Sequence, residues 1–569
     1  MVMMDMSLSS PFLQEVQPIC LSLLESVQNR QFSQAKSDLK SLQTWLQTVD
    51  QSDASAFPQL YPFIFLPLKV LLKQKNFPEN LCIAVFHSLA ELHRKKFVQF
   101  TEWKSAQDMI SLCLLAVSSP ANANELLGSE ELKLRSLQCL DSVCSHSCLS
   151  VDLKLKNLYS THTLRPFLGH AVYVLLQIFE REASAQLKQL CLTILNSLLL
   201  LDQEEILSEE YATDYKDTLA SFLPGMLQAL AKVLREFRTP QGIVCSALQS
   251  WTRLYCLVCS DAEFLKEQDI ENASRSKEWF CSTGKNVSEL LVGLFPALSL
   301  REESQISVAL LDFSTTLLTE ARKCLTEECH SVLLQTIVQR LQQEYPLVAE
   351  KAEKALCRLR LQRDLWKECT AQIEESLFQL GTSLPGVVRM EEREKGEKSL
   401  QLLLGHLHAL GQQDLQVLFR CSPAHATRIL DALAQTLTFD LGRVSIVSEV
   451  KTDEEEKNEA STGFPLKFLS PAGLKMVKEI CREIALAVNG MLLLEYLLES
   501  GSHSDEGCYL LSLTLSSLTP TEKDLFLKEK LGEIVRLLLG RARLLWSTAT
   551  EHFVPSAGVF HKPSAYCSR

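Results

Sequence analysis

The chain has 569 residues, 46% of them hydrophobic and 22% charged, and 57 Lys and Arg against 69 Asp and Glu leave a net charge of −12. Those proportions exclude wholesale disorder, and the acidic balance argues against a protein built mainly to neutralise nucleic-acid phosphates. Only 20 Gly and 19 Pro serve this length, so turns are few and helices are favoured over a many-stranded β fold.

Helices are expected in succession at 11–29, 32–49, 59–74, 78–100, 103–117, 129–147, 164–181, 184–201, 216–236 and 241–260. They continue at 277–299, 303–322, 326–343, 346–361, 363–380, 393–411, 423–438, 471–499, 504–518 and 521–545. The clearest signal is Leu187, Leu190, Cys191, Ile194, Leu195, Leu198 and Leu199, whose steps of three and one mark one helical face. Ile306, Ala309, Leu310, Phe313 and Leu317 repeat it, as do Val348, Ala352, Ala355, Leu356 and Leu359. Breaks fall at Ser119-Pro120, Thr239-Pro240, Tyr345-Pro346 and Ser422-Pro423, where the residue before proline is steered away from helix.

Amphipathic helices joined by short breaks bury their apolar faces by stacking pair upon pair. The expected fold is therefore all-α: an irregular HEAT/armadillo-like α-solenoid of stacked antiparallel helix pairs. Second helices anchored at Leu132, Leu187, Ile243, Ile306 and Val348 are spaced by 55, 56, 63 and 42 residues. Only the last spacing matches the usual HEAT or armadillo length of about 40–47. The expected organisation is a solenoid over 1–444, a mobile acidic loop over 445–465, a further helical block over 466–546 and a disordered tail over 547–569. The acidic loop carries Thr452 ahead of Asp453, Glu454 and Glu455, a pattern acidophilic kinases accept.

The 19 cysteines sit mostly inside apolar helical stretches, as Cys82, Cys113, Cys191 and Cys245 do, which points to a reducing cytosolic or nuclear compartment. The start, Met1 to Phe12, lacks a signal-peptide core. Phe57–Leu72 and Ile484–Leu498 are interrupted by Pro, Lys, Asn or Glu and fall short of a membrane span. In that compartment Asn272-Ala-Ser274 and Asn286-Val-Ser288 are chance glycosylation matches.

No motif assembles chemistry. Cys144-Ser-His146-Ser-Cys148, with Cys139 nearby, lacks a second metal-binding knuckle, and on a helix His146 points away from the two thiols. Cys256-Leu-Val-Cys259 lies in a helix interior, and Cys329-His330 beside Glu327 and Glu328 is mere adjacency. Ser282-Thr-Gly284-Lys285 lacks the preceding Gly and strand of a phosphate loop, and reads as a loop or helix start. His406 and His408 cannot face one metal, and Arg94-Lys95-Lys96 is too short for a nucleic-acid groove. Pro67, inside an apolar helical stretch, reads as a packed helix start or kink. No catalytic residue, metal or cofactor is expected, and no particular partner-binding residue stands out.

Several segments in order carry a family likeness. They are Tyr61-Pro-Phe-Ile-Phe-Leu-Pro-Leu-Lys69, Phe167-Leu-Gly-His-Ala-Val-Tyr-Val-Leu-Leu176, Ala220-Ser-Phe-Leu-Pro-Gly225 and Gln241-Gly242. Leu380-Gly-Thr-Ser-Leu-Pro385, Leu402-Leu-Leu-Gly405 and Leu410-Gly411 follow. Over roughly residues 11–500 the chain resembles the N-terminal half of the Tel-two-interacting protein one family, the scaffold subunit of the TTT co-chaperone complex. The resemblance implies a non-catalytic HEAT scaffold with Tel-two and Tti-two type subunits as partners. It implies work with the heat-shock protein ninety machinery on phosphatidylinositol-kinase-related kinases of the TOR, ATM, ATR and DNA-PK type, without membrane or direct nucleic-acid contact. Family members are about twice as long, so a short isoform or incomplete gene model is expected. An importin/exportin-like transport receptor, also an acidic HEAT solenoid, is the alternative, and Ran-GTP binding separates the two.

Overall fold

The structure is a computed structural model that describes residues 11–49, 57–74, 77–94, 99–119, 125–145, 147–159, 164–202, 209–266, 275–343, 345–389, 393–438, 466–487 and 504–524. Among these, helices carry the architecture and no strand is present; an isolated antiparallel bridge joins Ser118 and Leu126. The expected all-α class is what the chain adopts. It divides into two compact units, Met1–Ile337 and Val338–Arg569.

The first unit begins with α1 (Pro11–Gln28) and α2 (Phe32–Thr48), α3 (Phe57–Leu72) and α4 (Glu79–Arg94), and α5 (Trp103–Val117) and α6 (Glu130–Cys144). A short α7 (Val151–Lys154) runs into one π-helical turn at Leu155–Tyr159. Then come α8 (Arg165–Arg181) and α9 (Ala185–Leu198), and α10 (Glu209–Arg235) and α11 (Gln241–Cys259). The short α12 (Asp261–Lys266) precedes α13 (Lys277–Ser299) and α14 (Ser304–Glu320), and a 3-10 turn at Arg322–Cys324 leads into α15 (Glu327–Arg340), within which the division falls.

These helices form two rows. The second row packs α2, α4, α6, α9, α11 and α14 side by side. The first row runs α1, α3, α5, α8, α10 and α13, with the α3–α5 step bridged by the Lys69–Asp108 ion pair and the α5–α8 step by Trp103 edge-on to Phe167. Second-row helices begin at 32, 79, 130, 185, 241 and 304, so the period lengthens from 47 to 63 residues. The anchors Leu132, Leu187, Ile243 and Ile306 are each the third residue of α6, α9, α11 and α14, and each is buried.

The residue after two of these anchors builds a repeated ion pair. Lys133 Nζ lies 2.7 Å from Glu182, just past α8, and Lys188 Nζ lies 3.1 Å from Glu236, just past α10. At the next step Arg301 donates to the Thr239 carbonyl at 2.9 Å. Helices α6 and α9, and the turn entering α11, are thus each tied to the turn of the following repeat.

Prolines separate the rows. Pro18, Pro62, Pro67, Pro224 and Pro296 all sit inside first-row helices, and no second-row helix of this unit carries one in its interior. Pro18, Pro62, Pro224 and Pro296 are exposed, so water can serve the carbonyl that each proline leaves without a donor. Proline at the exposed Gln249 of α11 should cost about 3 kcal/mol. Pro224→Ala in α10 should change stability by less than about 1 kcal/mol. Urea unfolding of the two variants checks the contrast.

The second unit holds α16 (Pro346–Leu361), α17 (Arg363–Arg389), α18 (Arg393–Cys421), α19 (Pro423–Thr436), α20 (Pro471–Ala487) and α21 (Ser504–Ser517). Here α17 packs on α16, α18 and α19, α20 on α18, and α21 on both α19 and α20. Pro346 and Pro423 start their helices, where a missing N–H costs nothing. Close packing reaches the backbone: a Cβ at Gly405 would lie 2.6 Å from the Val338 carbonyl oxygen.

Several boundaries differ from expectation. Gln99 and Phe100 lie outside α4, which was expected to reach 100, and α10 already includes Glu209, ahead of the expected 216. Helix α17 runs through Gly381 and Pro385 to Arg389 instead of ending at 380, because Gly381 is a buried packing position against Arg428 and Ile429. The helix expected to end at Gly411 does break there, with φ +72, but resumes to Cys421. The elements at 151–159 and 261–266 were not expected. The acidic segment at 445–465, Thr452 and the tail at 547–569 lie outside the described residues. The chain on either side of the segment is joined: Lys467 N–H donates to the Thr438 carbonyl at 3.0 Å.

Candidate functional site

The residues singled out for chemistry are placed as packing. Cys139, Cys144 and Cys148 are all buried; burial pushes the Cys144 thiol up to about 12, and Cys148 Sγ donates to the His93 carbonyl at 3.3 Å. His146 lies outside the described residues. Cys256 is pushed up to about 12 by burial on α11, and Cys259 is buried beside it. A thiol held so far above neutral pH supplies almost no thiolate.

Cys329 and His330 do not form a couple. Cys329 is buried and pushed up to about 12, while His330 Nε2 meets the Arg322 carbonyl at 3.0 Å. Ser282–Lys285 lies within the first turns of α13, with Gly284 buried against the backbone of Cys324. His406 is buried and its Nδ1 donates to the Leu402 carbonyl at 2.7 Å. His408 turns elsewhere, 3.5 Å from Glu483. Among the described residues no group of three His, Cys, Asp or Glu is placed to hold a metal ion, and no helix is long and apolar enough to cross a membrane. Asn286 is exposed on α13, and Asn272, Lys95 and Lys96 lie outside the described residues.

What the first unit does offer is surface. Between α4 and α6 runs a groove of about 450 Å³, walled by His87, Glu91 and Arg94 on one side and Arg135, Gln138, Asp141 and Ser142 on the other. Its charges are mixed: Arg94 grips Glu91 at 2.6 and 2.8 Å, and Arg135 donates to Gln138 at 3.1 Å, with Asp141 on the same wall. Burial pushes the Asp141 carboxyl up, and burial with the nearby Arg135 pushes His87 down. Such a lining matches a polar protein surface better than a phosphate. On the other row, Leu66 is 54% and Val70 36% exposed, one turn apart on α3 beyond exposed Pro62. Leu21 on α1 and Leu115 on α5 are also exposed. Apolar side chains turned outward on three consecutive first-row helices suit non-covalent association. Sequence periodicity could have found this stripe, since Phe57–Leu72 is apolar on more of its circumference than one buried face needs.

Two family models match the chain in order. One, described as the TTI1 N-terminal TPR domain, covers residues 13–344, and the other, the TELO2-interacting protein 1 homologue second TPR domain, covers residues 373–511. The chain belongs to the TELO2-interacting protein 1 family. Relatives in this family include the human TELO2-interacting protein 1 homolog, 28% identical over 463 residues, with 78% of this chain and 41% of that protein covered. The mouse homolog is 27% identical over 454 residues, covering 76% of this chain and 40% of the relative. Yeast TEL2-interacting protein 1 is 27% identical over 327 residues, covering 50% and 30%. This family member thus spans about two fifths of the length of its mammalian relatives. The family likeness read from the ordered segments is confirmed.

Solved structures give only loose matches. Importin beta aligns with a TM-score of 0.37 and 10% identity over 93% of this chain and 65% of that one. SYS-1 aligns at 0.35 and 12% over 92% and 86%. At those scores neither adds to the functional reading, including the transport-receptor alternative. The family descriptions speak of TPR units, yet the period of 47 to 63 residues exceeds the 34 typical of that repeat and lies nearer the HEAT range.

Proposed function

We propose that this chain is a non-catalytic scaffold of the TTT co-chaperone complex that binds a TELO2-type subunit. Through that complex it supports maturation of phosphatidylinositol-kinase-related kinases of the TOR, ATM, ATR and DNA-PK type in the cytoplasm and nucleus. A Tti-two type subunit and the heat-shock protein ninety machinery complete the assembly. The observation that carries this reading is the pair of family matches, in order, over residues 13–344 and 373–511. An array of paired helices with outward apolar residues on α1, α3 and α5 is the kind of surface on which such a scaffold works.

Affinity capture of the tagged chain from cells tests it. TELO2-type subunit should be recovered, together with newly made kinase. A clean negative, while a full-length relative captured in parallel succeeds, rejects the reading.

A further inference from the structure

The chain that follows second-row helices, in turns and in the next first-row helix, places a series of buried side chains at helix C-termini. Cys148 Sγ donates to the His93 carbonyl ending α4, and Arg275 donates at 3.1 Å to Val258 near the end of α11. Tyr159 donates at 3.0 Å to the Leu198 carbonyl and Tyr215 at 2.8 Å to the Leu199 carbonyl, both ending α9. Each of these side chains comes from chain beyond the helix it serves. The last carbonyls of a helix have no partner within it, so such donors replace water at a buried edge.

Lys154 is the exceptional member. Its side chain is fully buried, and Nζ donates to the carbonyl of Cys144, the last residue of α6, at 2.6 Å. It also donates to the Ser197 carbonyl near the end of α9 at 2.8 Å and approaches Ser197 Oγ at 3.4 Å. Ser197 Oγ in turn donates to the Cys144 carbonyl at 2.7 Å, closing a ring across the two repeats. No described carboxylate pairs with this ammonium; besides burial, the group acting on it is the Cys144 thiol. Burial pushes Lys154 down to about 8, which leaves it charged at neutral pH.

A buried cation without a counter-ion is normally costly. Here two helix C-termini point at it, and each carries the equivalent of roughly half a negative charge. Together they supply what a carboxylate would. An ammonium has three N–H groups, and three acceptors from two consecutive repeats surround it. We propose that Lys154 is an ionic clasp in which the ammonium, seated between the C-termini of α6 and α9, locks the third helix pair to the fourth and fixes the step between them. Loss of the charge frees that step, so the clasp sets the local stiffness of the array at the point where α7 and the π-turn leave the regular pattern.

The test uses the full chain. Lys154→Met keeps length and packing while removing the charge, and hydrogen–deuterium exchange at pH 7 is read by segment. The last turns of α6 and α9 should lose protection at least tenfold, while α11 and α14 stay unchanged. Wild-type protection in the Met variant overturns the proposal, as does an equal loss at α11 and α14, which would mark general destabilisation. Lys154→Ala gives an independent arm. Propylammonium in solution should restore protection of the two helix ends, and propanol should not. Equal recovery with both, or none with either, also overturns it, and this arm decides the matter if the Met variant fails to fold.

Discussion

Gly284→Ala is expected to cost about 3 kcal/mol, the upper part of the usual range for overpacking, because the atoms in the way are backbone. Gly284 is buried on α13, and a Cβ there would fall on the carbonyl group of Cys324 in the 3-10 turn. That turn cannot easily retreat. Ser288, one helical turn on, donates to the Gly284 carbonyl at 2.8 Å and accepts the Thr326 N–H at 3.0 Å, and Cys324 Sγ reaches the Cys259 carbonyl at 3.7 Å. Pushing the turn outward therefore breaks the links that join α11, α13 and the chain entering α15. Urea unfolding measures the loss, and exchange over 322–329 locates it. Gly225→Ala on α10 is the control: nothing lies within 4 Å of its Cβ, so it should gain up to about 1 kcal/mol from helix propensity. A Gly284 variant as stable as wild type would show that the turn is not held as described.

Stability is expected to fall as pH drops from about 6.5 to about 4. His93 is buried on α4, its Nδ1 donating to the Leu89 carbonyl at 2.7 Å and its Nε2 facing the Tyr61 hydroxyl at 3.4 Å. His406 on α18 is buried with the same bond to Leu402. Burial pushes both down to about 4, although the backbone carbonyl works in the opposite direction. In the unfolded chain each has its ordinary value near 6.5, so the unfolded state takes up the proton first. Each histidine's contribution is intact above about 6.5 and lost on the way down to 4, for about 3 kcal/mol apiece. They lie in different units, so the protection factors of α4 and of α18, taken against the intrinsic exchange rate at each pH, should each fall between pH 7 and pH 5. His93→Gln should flatten the response at α4 and leave that at α18. A pH-independent wild type would mean that both rings take up their protons equally readily in the folded and the unfolded chain.

The helical character, the succession of amphipathic segments and the second-helix anchors were legible in the amino-acid order. Leu132, Leu187, Ile243 and Ile306 mark a one-dimensional apolar rhythm, and a helix face needs no distant partner to be recognised. The family, too, was readable from short segments in order.

Contacts between residues some fifty positions apart were not legible, because the period drifts from 47 to 63 and no fixed offset connects them. Lys133 with Glu182, Lys188 with Glu236, and Lys154 with Ser197 exist only once the pairs have stacked. Gly381 and Pro385 look like a helix stop in sequence, yet α17 continues through both, with Gly381 buried against Arg428 and Ile429 of α19. Local propensity therefore determined which segments are helices and which stripe each buries. Tertiary packing decided where they end, which polar groups survive burial and which carbonyls they serve, because those energies arise only when one repeat's helix ends meet the next repeat's side chains.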